Sequence, residues 1–322
     1  MVRQAKRAVL LAAACVFALS SAPVFGQIPK TLRIIVPLSA GGGADIIARL
    51  MAEQIGRTQG LTVLVENRPG AGTALATDYV ARSEPDGSTL LITNTAFVIN
   101  PHVREQSYDP LKTFEPICNI VNFPLLVVVK ADSPFHTLAD LVAAAKANPN
   151  ALTFASTGPN SASHLAIETL RLAANMEVTY VPFGGSAPAI TALLGGHVMA
   201  VMADYTSAIE QLKSGALRAL AVGSAKRYPN LPDVPTISES GYKDYDQQSW
   251  NGFLVPAKTP SAVVTQLQTL FGEAGRSSEV KEKLALQGLL PEVACGADFK
   301  AVLAKQYEQF GSVVRAAHLK AQ

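Results

Sequence analysis

The chain has 322 residues, and its 27 basic and 25 acidic side chains nearly cancel to a formal net charge of +2. That balance excludes the strongly basic surface that recruits nucleic acid or an anionic membrane. The chain opens on a pattern of its own: Arg3, Lys6 and Arg7, an apolar run from Ala8 to about Leu19, and Val24-Phe25-Gly26 before Gln27. This is the layout of a secretory signal peptide over 1–26, with a run too short to span a bilayer comfortably. Cys15 offers a lipoprotein site, but the residues after it stay apolar, so soluble export is the expected route. The remainder is long enough for two lobes. Cys118 and Cys295 lie beyond the leader. They form either a disulfide or two buried free thiols, and the sequence leans toward the thiols.

In chain order, 32–36 (Leu-Arg-Ile-Ile-Val) reads as a buried strand, and Pro37, Leu38, Ser39, Ala40, Gly41, Gly42 and Gly43 as a small-residue turn. An amphipathic helix follows, with Ile46, Ile47, Leu50 and Met51 inward and Arg49 and Glu53 outward. Such a helix start leaves N–H donors at the positive end of the dipole, a ready anion site. The alternative is a plain tight turn, with Asp45 capping or sitting in the first helical turn. Neither a Walker loop nor a dinucleotide fingerprint is present, which disfavours nucleotides. A strand over 61–65, a turn over 67–72, a helix over 73–82 with Leu75, Tyr79 and Val80 inward, and a strand over 89–92 come next. The last ends in Thr93, Asn94 and Thr95, at the edge where open α/β sheets hold ligands.

After 114–121 (Phe-Glu-Pro-Ile-Cys-Asn-Ile-Val), the run 125–130 (Leu-Leu-Val-Val-Val-Lys) is strongly β-branched and is expected to be an extended segment crossing from one lobe to the other. Thr137 and Asp140 have the spacing of a helix-capping pair. Residues 152–170 then repeat the opening design, with Ser156, Thr157 and Gly158 in the turn and Ser161 and His164 at the helix start. His164 reads equally as a ligand contact and as a packed or capping residue. A third version places Phe183, Gly184 and Gly185 before a helix, with Pro188 in its first turn. A strand over 198–205 carries Asp204 at its carboxyl end. A helix to 213, a strand over 217–222, a proline-rich stretch over 227–236 and a strand from 250 follow. Helices over 262–275, 278–287 and 296–317 close the chain. The alternation predicts α/β architecture with mainly parallel sheets.

The inventory of reactive groups is thin. Beyond the leader there is no Cys-x-x-Cys, His-Glu-x-x-His or Gly-x-Ser-x-Gly, and the histidines are scattered at 102, 136, 164, 197 and 318. No metal and no cofactor are expected. Asp45 and Asp204 are a conceivable acid–base pair, but no nucleophile or metal stands beside them, so an enzyme is not expected. What recurs is helix starts and hydroxyl-rich turns with few basic side chains. That suits a carboxylate held by backbone N–H groups, Ser, Thr and Asn side chains and bridging water.

Pro37-Leu-Ser-Ala-Gly-Gly-Gly-Ala-Asp-Ile-Ile-Ala-Arg, Val65-Glu-Asn-Arg-Pro-Gly-Ala-Gly and Pro85-Asp-Gly-Ser-Thr-Leu-Leu closely resemble the Bug-type periplasmic solute-binding receptors of tripartite tricarboxylate transporters. Tyr108-Asp-Pro-Leu-Lys-Thr-Phe-Glu-Pro-Ile, Phe154-Ala-Ser-Thr-Gly-Pro-Asn-Ser-Ala-Ser-His-Leu, Val181-Pro-Phe-Gly-Gly-Ser-Ala-Pro-Ala and Leu231-Pro-Asp-Val-Pro-Thr continue the match in the same order. The resemblance implies a two-lobed periplasmic-binding-protein type II fold with a ligand cleft between the lobes. Lobe 1 would comprise 27–122 and 250–322, and lobe 2 would comprise 123–249. It further implies a monomer in the periplasm, a small carboxylate ligand, and the transporter's membrane subunits as partners. A sensor kinase is the alternative partner. In such receptors the first turn, here Leu38 through Asp45, holds a ligand carboxylate with the help of bridging water. Thr93 to Thr95, Ser156 to Ser161 with His164, Phe183 to Gly185 and Asp204 map onto the rest of the cleft. Leu38-Ser39 and Pro159-Asn160 depart from the usual pattern, so the identity of the acid does not carry over.

Overall fold

A computed structural model describes residues 27–70 and 73–319. The expected leader over 1–26, Ala71 and Gly72 of the second turn, and residues 320–322 lie outside the described residues. The first part of the chain runs β1 (Thr31–Val36), α1 (Gly43–Gln59), β2 (Thr62–Asn67), α2 (Ala74–Ala81), β3 (Thr89–Asn94), α3 (Ala96–Val103) and β4 (Phe114–Lys130). The middle adds α4 (Leu138–Ala147), β5 (Thr153–Ser156), α5 (Ala162–Ala174), β6 (Thr179–Pro182), α6 (Ser186–Leu194), β7 (Ala200–Asp204), α7 (Tyr205–Lys213) and β8 (Leu217–Val222). The last part is β9 (Gln248–Pro256), α8 (Ser261–Arg276), α9 (Ser278–Leu286), β10 (Leu290–Cys295) and α10 (Ala297–Ala316). None of the helices among the described residues is long and apolar enough to cross a membrane.

Strand β4 organises the molecule. From Phe114 to Pro124 it pairs with β9, and Cys118 to Asn122 also pair with β10. From Leu125 to Lys130 it pairs instead with β7 and β8. The neighbours in order are β2-β1-β3-β9-β4-β7-β5-β6, so one long strand carries the sheets of two lobes. In the first lobe, α1, α8 and α9 cover one face around Ile47, Met51, Leu267 and Leu284. On the other face α2, α3 and α10 pack around Phe97, Trp250 and Phe299. The second lobe is covered by α4 and α5 on one side and by α6 and α7 on the other.

The pairings β1–β2, β1–β3, β5–β6 and β5–β7 are parallel. Every pairing of β4, and that of β3 with β9, is antiparallel. The expectation of mainly parallel sheets is corrected accordingly. The βαβ units do form parallel pairs, but the strand shared by both lobes runs against its neighbours. Two elements were not anticipated, α3 and β10. Register across β10 and β4 sets Cys295 opposite Cys118, and the two form a disulfide. The lean toward free thiols is therefore also corrected, because the strand that brings the pair together was not foreseen. Leu75 does not point inward as expected; it is 58% exposed.

Trp250 on β9 is fully buried. Its ring meets Phe299 edge-on at 5.2 Å, and its Nε1–H donates to Gln306 Oε1 at 2.6 Å. Leu165 and Ala162 of α5 join this cluster, so the second lobe rests against α10 of the first. Beside the tryptophan, Gly252 lets the sheet approach α10. A Cβ there would lie 2.5 and 2.7 Å from the Phe299 ring and 3.1 Å from the Asn119 Cα. Gly252→Ala is accordingly expected to destabilise the chain by about 1–3 kcal/mol through overpacking. Urea denaturation would measure this, and an unchanged midpoint would show that the ring moves aside freely.

Candidate functional site

The turn between β1 and α1 is held by side chains rather than by glycine alone. Gly41 takes the left-handed conformation, at φ +82°, and its N–H donates to Asp45 Oδ2 at 2.9 Å. Arg49 Nε donates to the same oxygen at 3.0 Å. Asn67, at the end of β2, donates from Nδ2 to Asp45 Oδ1 and to the Leu38 carbonyl, both at 3.0 Å, and its own carbonyl accepts from Arg49 at 3.1 Å. Burial alone would push the Asp45 carboxyl up. The bonds from Arg49, Gly41 and Asn67 outweigh that and hold it below the ordinary carboxylate range. Asp45 is 2% exposed, so its carboxylate shapes the turn from beneath. Ser39, Ala40, Gly41 and Gly43 lie exposed above it. Gly42 is the N-cap of α1 and supplies no side-chain bond to the first helical turn. The N–H groups there are positioned for an outside acceptor.

The second turn is a closed hydroxyl cluster. Ser156 Oγ donates to the Gly158 carbonyl at 3.0 Å and lies 2.8 Å from the Tyr180 hydroxyl. Ser161 Oγ caps α5 by accepting the His164 N–H at 3.2 Å, and donates to the Gly158 carbonyl at 2.7 Å. Ser163, fully buried beneath them, accepts the Thr157 N–H at 3.0 Å and bonds the Thr157 hydroxyl at 2.8 Å. His164 stacks on Tyr180 with ring centroids 3.8 Å apart, and its Nδ1 accepts the Asn160 N–H at 3.0 Å. Burial pushes the imidazole down to about 4, so it is neutral at pH 7 with its proton on Nε2. The third turn joins the second, since the Phe183 N–H donates to the Ser156 carbonyl at 3.1 Å. Gly184 is exposed, and Gly185 caps α6 at φ +141°.

Ser186 Oγ, just past that cap, donates to Asp204 Oδ2 at 2.8 Å. Burial raises the Asp204 carboxyl above the ordinary carboxylate range, and the bond from Ser186 offsets only part of this. At the end of β3, Asn94 Oδ1 accepts the Ala96 N–H at 2.9 Å. The hydroxyls of Thr93 and Thr95 are buried and have no hydrogen-bond partner among the described residues. Such orphans in a native fold call for an explanation.

A cavity of about 200 Å³ lies where the start of α1 faces the start of α7; Gly43, Ile46, Thr206 and Asn251 are on its wall. It brings the first turn together with the segment just past Asp204. Turns two and three bond to each other, and none of the bonds that hold them ties them to the first. Ile46, expected among the inward residues of α1, is 37% exposed at this cavity instead.

The family model for the tripartite tricarboxylate transporter family receptor matches residues 47–319. The chain belongs to this family. It is 32% identical to Protein BugT of Bordetella pertussis over 289 residues, 89% of each chain. Among solved structures it is similar to the R. palustris protein Rpa4515 with adipate, at 30% identity and a TM-score of 0.78, over 91% of this chain and 98% of that one. It is similar also to MatC of Rhodopseudomonas palustris with bound malate, at 27% identity and a TM-score of 0.72, over 88% and 98%. The receptor's two lobes are those of the periplasmic-binding-protein type II fold. Sequence reasoning about the receptor missed Asn67, Ser163 and Tyr180, which hold the turns, and Phe123, Thr206 and Asn251, which line the cavity. Asn67 alone carried a local signal, as the polar residue that opens a Pro-Gly turn.

Proposed function

We propose that the protein is exported to the periplasm by cleavage of a leader over 1–26, takes up a small carboxylate between its lobes, and passes it to the membrane subunits of a tripartite tricarboxylate transporter. The observation that carries this is the first turn, whose Asp45–Asn67–Arg49 network holds the start of α1 open on a cavity. The solved relatives with adipate and malate support a carboxylate as the ligand. The lobes are 27–122 with 250–322, and 123–249, so the chain crosses between them within β4 and again at the start of β9. Leu38 to Asp45 form one jaw of the cleft, Asp45 acting through the turn. Thr93 to Thr95, Ser156 to Ser161 with His164, Phe183 to Gly185 and Asp204 form the surroundings. The orphaned Thr93 and Thr95 hydroxyls are suited to ligand or bridging water. Closure of the lobes then couples ligand contacts to the open–closed equilibrium. Catalysis by Asp45 and Asp204 finds no footing, because Asp45 is committed to the turn and Asp204 to Ser186.

Calorimetric titration of the processed chain with a panel of organic acids tests the reading. One-site binding of at least one acid is expected, and a folded protein that binds none overturns it. Gly43→Pro sharpens the test. Proline suits the first helical position, Gly42 before it is extended at ψ 166°, and a Cβ at Gly43 meets nothing within 4 Å. The substitution deletes one N–H donor and is expected to weaken acid binding roughly tenfold while leaving the thermal midpoint in place.

A further inference from the structure

We infer that the cleft at the start of α1 selects an acid with one carboxylate and a compact apolar body over di- and tricarboxylates. The inference rests on the receptor reading above and narrows its ligand. Ile46, Ile47, Phe123 and Leu289 line the 200 Å³ cavity, with Asn251 and Thr206 among its polar members, and none of its lining residues is charged. A cavity of roughly 150 Å³ lined by Leu, Ile and Phe accommodates a benzene-sized molecule; this one adds Thr206, Asn251 and Gln287 to its apolar wall. The space therefore fits a six-membered ring or its equivalent with its acid group at the mouth.

The lining of the cavity combines two kinds of chemistry. The N–H groups at the start of α1, with the positive end of its dipole, provide for one carboxylate. Asn251 is 5% exposed and on the wall, so its amide is a buried polar partner for a bound molecule or water. A second carboxylate carried into this cavity would lie against Ile47, Phe123 and Leu289, away from the hydroxyl-rich turns, none of whose residues lines it; there an ionised group loses its hydration uncompensated. The nearby guanidinium of Arg49 is taken by Asp45 and Asn67. Asp204, two residues before Thr206, adds an acid rather than a base to that side. Ile46, left 37% exposed at the mouth, is the apolar side chain such a ring would cover.

The test is calorimetric titration of the processed chain with benzoate, cyclohexanecarboxylate, adipate, malate, citrate and benzyl alcohol. Benzoate or cyclohexanecarboxylate is expected to bind at least tenfold more tightly than any of the three polycarboxylates, and benzyl alcohol, which lacks the anion, much more weakly. Adipate, malate or citrate binding as tightly as the ring acids overturns the selectivity and leaves the receptor reading standing. Binding of no acid overturns both. Ile46→Arg supplies a cation at the mouth, at a position open enough to take it without unfolding. It is expected to move the adipate-to-benzoate affinity ratio at least fivefold toward adipate, and an unmoved ratio in a folded variant counts against the assignment.

Discussion

Replacing Cys118 and Cys295 together by alanine is expected to lower the thermal midpoint by roughly 10 °C. The disulfide closes a span of 177 residues. Tying such a loop removes about 5 kcal/mol of chain entropy from the unfolded state, where the chain-entropy account holds. The loss has a local side as well. Strand β10 meets β4 at few positions, and its register shifts between Pro291 and Ala294. The Gly296 N–H bond to the Ile117 carbonyl, 3.0 Å long, continues the same contact. Without the covalent tie, β10 has little to keep it against β4, although α8 packs close by, with Gly272 facing Cys295 Sγ. Hydrogen exchange should thus accelerate first at Leu290 to Cys295, while scanning calorimetry reads the midpoint. A drop of less than about 2 °C would show that the packing of the surrounding helices α8, α9 and α10 secures the strand without the bond. Reduction of the unaltered protein should reproduce the double variant.

The elements that were legible in the sequence are those whose causes are local. Thr137 and Asp140 close a capping box across three residues. The three strand–turn–helix units announce themselves by an apolar run and a small-residue turn. Helix α3 does not, because Phe97, Val98, Ile99, Asn100 and Val103 are buried on several sides of it and Pro101 lies inside it, so no amphipathic period is left to see. β10 contains Pro291 and is formed only through β4, far away in sequence. The site divides the same way. The first turn was visible, but Asn67 acts on Asp45 and Leu38 across 22 and 29 residues, and such a partner has no spacing rule. Ile46 shows the limit of periodicity: it falls on the apolar arc of α1, yet that arc extends past the core to the cavity.

Between pH 6.5 and pH 4 the protein is expected to lose about 3 kcal/mol of stability through His164. In the unfolded chain the imidazole gains its proton near 6.5, whereas burial keeps it neutral in the folded chain down to about 4. Unfolding therefore takes up a proton within that window. Stability falls as the pH drops through it and is unaffected above it, with a slope of roughly 1.4 kcal/mol per pH unit. The geometry gives the cause. Nδ1 accepts the Asn160 N–H, so a proton there would set donor against donor, and Tyr180 covers the ring. Glu168 does not relieve the cost: its Oε1 is 3.9 Å from Nε2, and its other oxygen accepts from Arg171 Nε at 2.8 Å. Urea unfolding at stepped pH measures the slope. His164→Asn retains an acceptor for the Asn160 N–H but cannot titrate, so it should be less stable at pH 7 for want of the ring and much flatter below 6.5. Some slope would persist from His102, whose imidazole burial also pushes down. An acid slope equal to that of the unaltered protein would move the effect away from His164. Because this ring sits at the cap of α5, beside Ser161 and the second turn, the same protonation is expected to loosen that turn before the lobe unfolds.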